Sequence, residues 1–119
     1  MLITITLPYP PSTNRYWRTF RGRTYVSSEA TAYKKAVHQI IGDRDIYLSP
    51  VGLHVTLHPK LTSKGVASKV CIDLDNGLKV LIDALQGILI ADDKQVRELH
   101  AVYGEPVRDG AVTIKLLEL

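Results

Sequence analysis

Residues 70–86 change their hydrophobic period in mid-run, and that change dictates where a strand must give way to a helix. Val70, Ile72 and Leu74 alternate with Cys71, Asp73 and Asp75, the pattern of a strand whose successive side chains face opposite ways. From about Asp75 the apolar residues recur at helical spacing, as Leu78, Leu81, Ile82, Leu85 and Ile88. Asp75, a good N-cap type followed by Asn76, marks the start of the predicted helix. Asp73 and Asp75 then share a strand face, and Lys79 lies one turn beyond Asp75 on a stripe with Asp83 and Gln86.

Gathering these charges costs energy. Two carboxylates about 4 Å apart repel by about 1 kcal/mol in water and by about 4 kcal/mol at an effective dielectric of about 20. Lys79 offsets part of this and a divalent cation offsets more. Mg²⁺ prefers a few carboxylate oxygens together with waters and a substrate phosphate. Bound in that way it can activate water and hold the charge that builds on phosphate during phosphodiester hydrolysis. The same spacing fits a plainer role, in which Asp75 only caps the helix and Lys79 pairs on the surface with Asp75 and Asp83. Spacing alone does not choose between the two.

A chain of 119 residues reads as one domain with a single modest core, residues 1–119. Its net charge of +3 says little about partners, but the distribution says more. Arg15, Arg18, Arg21 and Arg23 precede the first acidic residue, Glu29, and between Asp45 and Asp73 the charged residues are Lys60, Lys64 and Lys69. Two basic segments around an acidic centre suit a polyanion whose backbone is neutralised while a metal sits at the cut. Scattered solvated charges are the bland alternative. Cys71 is the single cysteine, which excludes an intrachain disulfide and makes a reducing cytoplasm the expected location. No signal peptide is read at the start of the chain, and no run approaches the roughly 20 apolar residues of a membrane helix.

In chain order, residues 2–7 alternate apolar side chains with Thr, a first strand that Pro8, Pro10 and Pro11 stop. The loop that follows carries Asn14, Arg15, Tyr16, Trp17 and Arg18, a set that can hold phosphates or stack on unpaired bases. Trp17 also fits a lid on the core. Phe20 to Val26, broken at Gly22, suggests a hairpin carrying Arg21 and Arg23. Ser27 or Ser28 opens a helix that runs to about Ile41, with Ala30, Tyr33, Val37, Ile40 and Ile41 on its apolar face and Gly42 at its end. The opposite face, with Lys34, Lys35 and His38, reads as solvated.

A strand from Val51 to His58 follows, with His54, Thr56 and His58 on its polar face, better explained by a half-exposed sheet than by a zinc pair. Residues 59–69 read as a mobile polar loop. In the second helix Val80 and Ala84 extend the apolar surface beyond the core face, which suggests that part of it packs against a second subunit. After Gly87 come Asp92-Asp93, a strand near Val96 to Tyr103, a turn over 104–110 and a last strand. The expected fold class is α+β, a small mixed β-sheet with two main helices packed on one face.

With these residues in view, the chain resembles the RusA family of Holliday junction resolvases over nearly its full length. Three features carry the resemblance: Pro11-Ser12-Thr13-Asn14-Arg15-Tyr16 after the first strand; Asp73-Leu74-Asp75-Asn76 with Lys79 and Asp83-Ala84-Leu85; and Asp92-Asp93 followed by Gln95-Val96. Two positions depart from it. Val70, Cys71 and Ile72 stand where the family is frequently basic, and Tyr103 lies near a common Lys.

The resemblance implies a homodimeric endonuclease, dependent on Mg²⁺ with Mn²⁺ as a substitute, that binds four-way junction DNA and nicks two opposing strands symmetrically. It implies Asp73, Asp75 and Asp93 as metal-binding carboxylates and Lys79 as a catalytic lysine, with Asp92 the less certain of its pair. Asn14, Arg15, Tyr16, Arg18, Arg21, Arg23, Lys60, Lys64 and Lys69 are the expected DNA contacts. Rival readings are a junction-binding protein that no longer cuts, a Mg²⁺ phosphohydrolase of small nucleotides, and a purely structural module.

Overall fold

The sheet is organised around the strand that alternates most regularly. In a computed structural model, which describes residues 2–11, 17–20, 22–26, 28–68 and 74–119 (backbone alone for 17–20 and 23–26), that strand is β4, Val51–His58. It sits between β6, Ala111–Glu118, which runs antiparallel to it, and β5, Val96–Tyr103, which runs parallel. β1, Leu2–Leu7, adds an antiparallel edge to β6, giving the order β1-β6-β4-β5. A separate two-stranded hairpin pairs β2, Trp17–Phe20, with β3, Arg23–Val26, around Gly22 at φ 77°.

Register puts the apolar alternation on one face. Leu53 lies opposite Leu116, Val55 opposite Ile114 and Leu57 opposite Val112, and the row continues to Ile3, Ile5 and Leu7. This face is covered by helix α1, Ser28–Ile41, and helix α2, Leu74–Leu85, which bury Ala30, Tyr33 and Val37 from the first and Val80, Leu81, Ala84 and Leu85 from the second. The other face, with His54, Thr56, Thr113 and Lys115, is exposed or half-exposed, so one-sided burial follows from the period-2 pattern. His58 is accounted for by hydrogen bonds to the Glu105 carbonyl (2.8 Å) and the Thr113 hydroxyl (3.2 Å). His54 packs against His100 of β5 with tilted rings, their centroids 4.7 Å apart.

A parallel pair needs a crossover, and here the crossover between β4 and β5 contains α2. The chain therefore travels from one end of β4 back along the sheet before β5 can begin, and both ends of α2 are fixed by that path. Gly87, at φ 80°, stops the helix, and Ile88, Leu89 and Ile90 then plug the core, all at most 7% exposed. Gly104, where β5 leaves the sheet, cannot be larger: a Cβ there would lie 2.4 Å from Thr56 Cγ2.

Four expectations are corrected. α2 begins at Leu74, so Asp75 sits inside its first turn, where a carboxylate complements the helix dipole, rather than at its cap. Val80 and Ala84 are buried within this chain (2% and 3% exposed), because α1 lies against that side of α2, so they do not call for a second subunit. Ile40 is half exposed rather than part of the core. Residues 60–68 form a hydrogen-bonded turn, with bridges from Lys60 to Val107 and Leu61 to Ala67 and with Thr62 N–H donating to the Val66 carbonyl (2.8 Å). The lead-in expected as a strand over 70–73, together with Cys71, lies outside the described residues. No helix among the described residues is long and apolar enough to cross a membrane.

Two substitutions test this packing. Leu85 is fully buried, so Leu85→Ala removes about 2–5 kcal/mol from the unfolding free energy in urea titration. Tyr33 donates from its buried hydroxyl to the Pro8 carbonyl (2.8 Å), and burial raises its pKa, so Tyr33→Phe costs about 1 kcal/mol by the same measurement.

Candidate active site

The site is built where α2 and the turn before β5 meet. Along α2, Asp75, Lys79 and Asp83 follow one another at intervals of four, one exposed stripe on a helix otherwise turned toward the core. Asp75 and Lys79 are exposed and Asp83 is half-buried. The stripe predicted from the sequence therefore exists, and its far end lies partly out of water.

The second half of the site is a tight turn, Asp93–Gln95, capped by Asp92. Its geometry is set by a reciprocal box. The Asp92 carboxylate accepts from the Lys94 N–H (2.8 Å), while Gln95 Oε1 accepts from the N–H groups of Asp92 (2.8 Å) and Ala91 (2.7 Å). Gln95 Nε2 donates in the other direction, to the carbonyls of Tyr47 (2.7 Å) and Ser49 (3.0 Å). One side chain thus ties the turn to the segment that enters β4. Tyr47 N–H adds a hydrogen bond to the Leu89 carbonyl (2.9 Å), which closes the same junction from the other side.

This frame holds carboxylates against one another. Asp93 shares a hydrogen bond with Asp92, and that bond is the main reason its proton is held more tightly than usual; loss of solvent and the charge of Asp92 add to it. Asp92 moves the opposite way, chiefly because the Lys94 N–H stabilises its ionised form. Asp83 also holds its proton more tightly, first through burial and second through the negative charge of Asp93. Asp93 and Asp83 are therefore electrostatic neighbours, brought together from the turn and from the third turn of α2.

Of the site residues proposed from the sequence, Asp75 and Lys79 lie on the exposed stripe of α2 and Asp93 in the turn before β5, where the α2 carboxylate it acts on is Asp83; Asp73 lies outside the described residues. Among the described residues no three His, Cys, Asp or Glu side chains are gathered closely enough to hold one ion. The carboxylate the sequence reading passed over is Asp83. Its spacing of eight from Asp75 put it on the right stripe, yet nothing local showed that a turn ten residues later would return to face it. Carboxylate oxygens held near one another match the preference of a hard divalent cation, so the donor chemistry fits Mg²⁺.

Of the expected DNA contacts, Lys60 and Lys64 are exposed, and Lys60 also lies over the Tyr9 ring, 5.3 Å from its centroid. Asn14, Arg15, Tyr16, Arg21 and Lys69 lie outside the described residues, and Arg18 and Arg23 are placed by backbone alone, in β2 and β3.

Two variants test the site. Gln95→Ala removes four hydrogen bonds from one turn and lowers stability by about 1–3 kcal/mol in urea. Asp93 and Asp83 bind protons more tightly folded than unfolded, so as pH rises through the range above the ordinary aspartate value, folded stability falls. Asp93→Asn keeps a donor for Asp92 and loses the repulsion, so in EDTA at pH 7 its thermal midpoint exceeds that of the parent, and the difference closes toward pH 3.

Residues 8–116 match the family model described as Endodeoxyribonuclease RusA. The chain is 37% identical over 119 residues to the Crossover junction endodeoxyribonuclease RusA of Escherichia coli K12, covering 97% of this chain and 93% of the relative. It is 36% identical, over the same shares of both chains, to the proteins of that name from Shigella sonnei and from Enterobacteria phage 82.

Proposed function

The chain belongs to the RusA family of endodeoxyribonucleases, and from there we propose that it resolves four-way DNA junctions as a homodimer, by paired Mg²⁺-dependent nicks. What supports the reading is that Asp75 and Lys79 stand on the exposed stripe of α2 that ends in Asp83, whose carboxyl feels the charge of Asp93 in the turn before β5.

Asp73, Asp75 and Asp93 would hold the ion, with Mn²⁺ as a substitute, and Asp83 stands beside Asp93 as a further oxygen donor. When bound, Mg²⁺ supplies a water acidic enough to attack phosphorus and a positive charge for the phosphate oxygens. The protein's own groups do the rest. Lys79, one turn from Asp75, places its ammonium where negative charge grows on the phosphate. The Gln95 box keeps the Asp92-Asp93 pair from swinging away. The products are a 5′-phosphate and a 3′-hydroxyl.

A junction with two-fold symmetry needs two cuts, and a two-fold dimer supplies two matched sites. With Val80 and Ala84 satisfied inside the chain, the surface suited to a second copy is β5, where Leu99 (45% exposed) and Tyr103 (50% exposed) lie on the apolar side of the sheet beyond the cover of the helices. The lone cysteine and the absence of a membrane-spanning helix among the described residues fit an enzyme of the reducing cytoplasm.

Asp75→Asn tests the assignment. It retains binding to a labelled four-way junction and loses Mg²⁺-dependent nicking by at least a hundredfold; cutting at the parental rate would show that the role belongs elsewhere. Sedimentation at micromolar concentration is expected to give the mass of two chains.

A further inference from the structure

The two helices do not close on each other along their whole length. Between them lies an open cleft of about 650 Å³, floored by Ala30, Val80, Ala84 and Ile88. Its rims differ in character. On the α1 side stand Lys34, Lys35 and His38, and on the α2 side stand Asp83 and Gln86. The face of α1 that reads as merely solvated from the sequence is thus one wall of a cavity whose other wall carries the carboxylate facing Asp93.

We propose that this cleft is a subsite for the sugar-phosphate backbone of the DNA strand entering the cutting site, with Lys34 and Lys35 neutralising phosphates adjacent to the one that is cut. The inference rests on the endonuclease reading and extends the DNA surface to a helix that reading had left out.

Three observations favour a nucleic-acid strand over other occupants. First, the charge is arranged for it. Lys34 and Lys35 are both exposed and neither is engaged in an ion pair among the described residues, whereas His38 is held by Asp43 at 2.9 Å. Second, the chemistry of the walls alternates as a strand's does: an apolar floor suits deoxyribose rings, and ammonium groups on the rim suit phosphates. Third, the cleft continues the active stripe. Asp75 to Asp83 spans eight residues, about 12 Å of helix, so a strand laid along Asp75, Lys79 and Asp83 runs on into the space beside Lys34 and Lys35. A second copy of the chain is less well matched, since a two-fold contact across this cleft would bring Lys34 and Lys35 of both copies toward one another. Gln86 and Thr31, on opposite rims, offer polar groups to the same strand.

The test is the salt dependence of junction binding, measured by fluorescence anisotropy with a labelled four-way junction in EDTA so that no cutting occurs. Each phosphate contact removed lowers the slope of log affinity against log salt by about 0.9, so the Lys34→Gln/Lys35→Gln protein is expected to lose about 1.8 from the parental slope. It should bind on the order of tenfold more weakly at 100 mM salt. Lys34→Arg/Lys35→Arg, which keeps both charges, retains the parental slope. A glutamine pair with unchanged slope and affinity, and with an unchanged thermal midpoint, overturns the proposal. So does a glutamine pair whose sedimentation mass changes while its slope does not, because the cleft would then be an interface between chains. A parental protein that binds no junction overturns the functional reading and this one with it, whereas parental binding indifferent to the glutamine pair overturns the cleft alone.

Discussion

Mutual repulsion of carboxylates is the constraint around which this molecule is arranged. Asp92 makes the ionised state of Asp93 harder to hold, and the charge of Asp93 does the same to Asp83 after burial. Left free, a short exposed turn would rotate these groups apart. Gln95 prevents that, with both ends of its amide engaged: its oxygen by two backbone N–H groups of the turn, its nitrogen by two carbonyls from residues 47 and 49. Stability is given up locally so that charge stays concentrated.

The fold makes this concentration possible through its one parallel strand pair. A hairpin between β4 and β5 would have placed their connection at the edge of the sheet. The crossover instead lays α2 across the sheet and returns the chain to the start of β5, which brings the third turn of the helix and the Asp92-Asp93 turn into proximity. Core packing then fixes the approach. Leu85, Leu89 and Ile90 are at most 1% exposed, so the segment between helix and turn has little freedom to shift.

Much of this was legible in the sequence because its signals are local. Strict alternation located β1 and β4, and a 3.6-residue period located both helices. The stripe of Asp75, Lys79 and Asp83 followed from the same period. What escaped was decided by contacts between elements distant in sequence. Val80 and Ala84 looked like surplus apolar surface because α1, which buries them, comes some forty residues earlier. Lys34 and Lys35 looked solvated because the wall opposite them belongs to α2. Asp83 looked like an ordinary surface charge because only the turn geometry set by Gln95 returns Asp93 to face it. Residues 60–68 looked like a free loop because their partner, Val107, lies across the turn after β5.

The central claim is that the gathered carboxylates form a seat for a hard divalent ion. Its most direct test is to follow the aspartate carboxyl carbons by NMR while Mg²⁺ is added to the protein without DNA. The account predicts that Asp93 and its neighbour Asp83 shift together with a common midpoint, while Asp109, in the turn after β5, stays still. Carboxyl resonances that remain unmoved at millimolar Mg²⁺, in a protein that nevertheless nicks junctions, would contradict it.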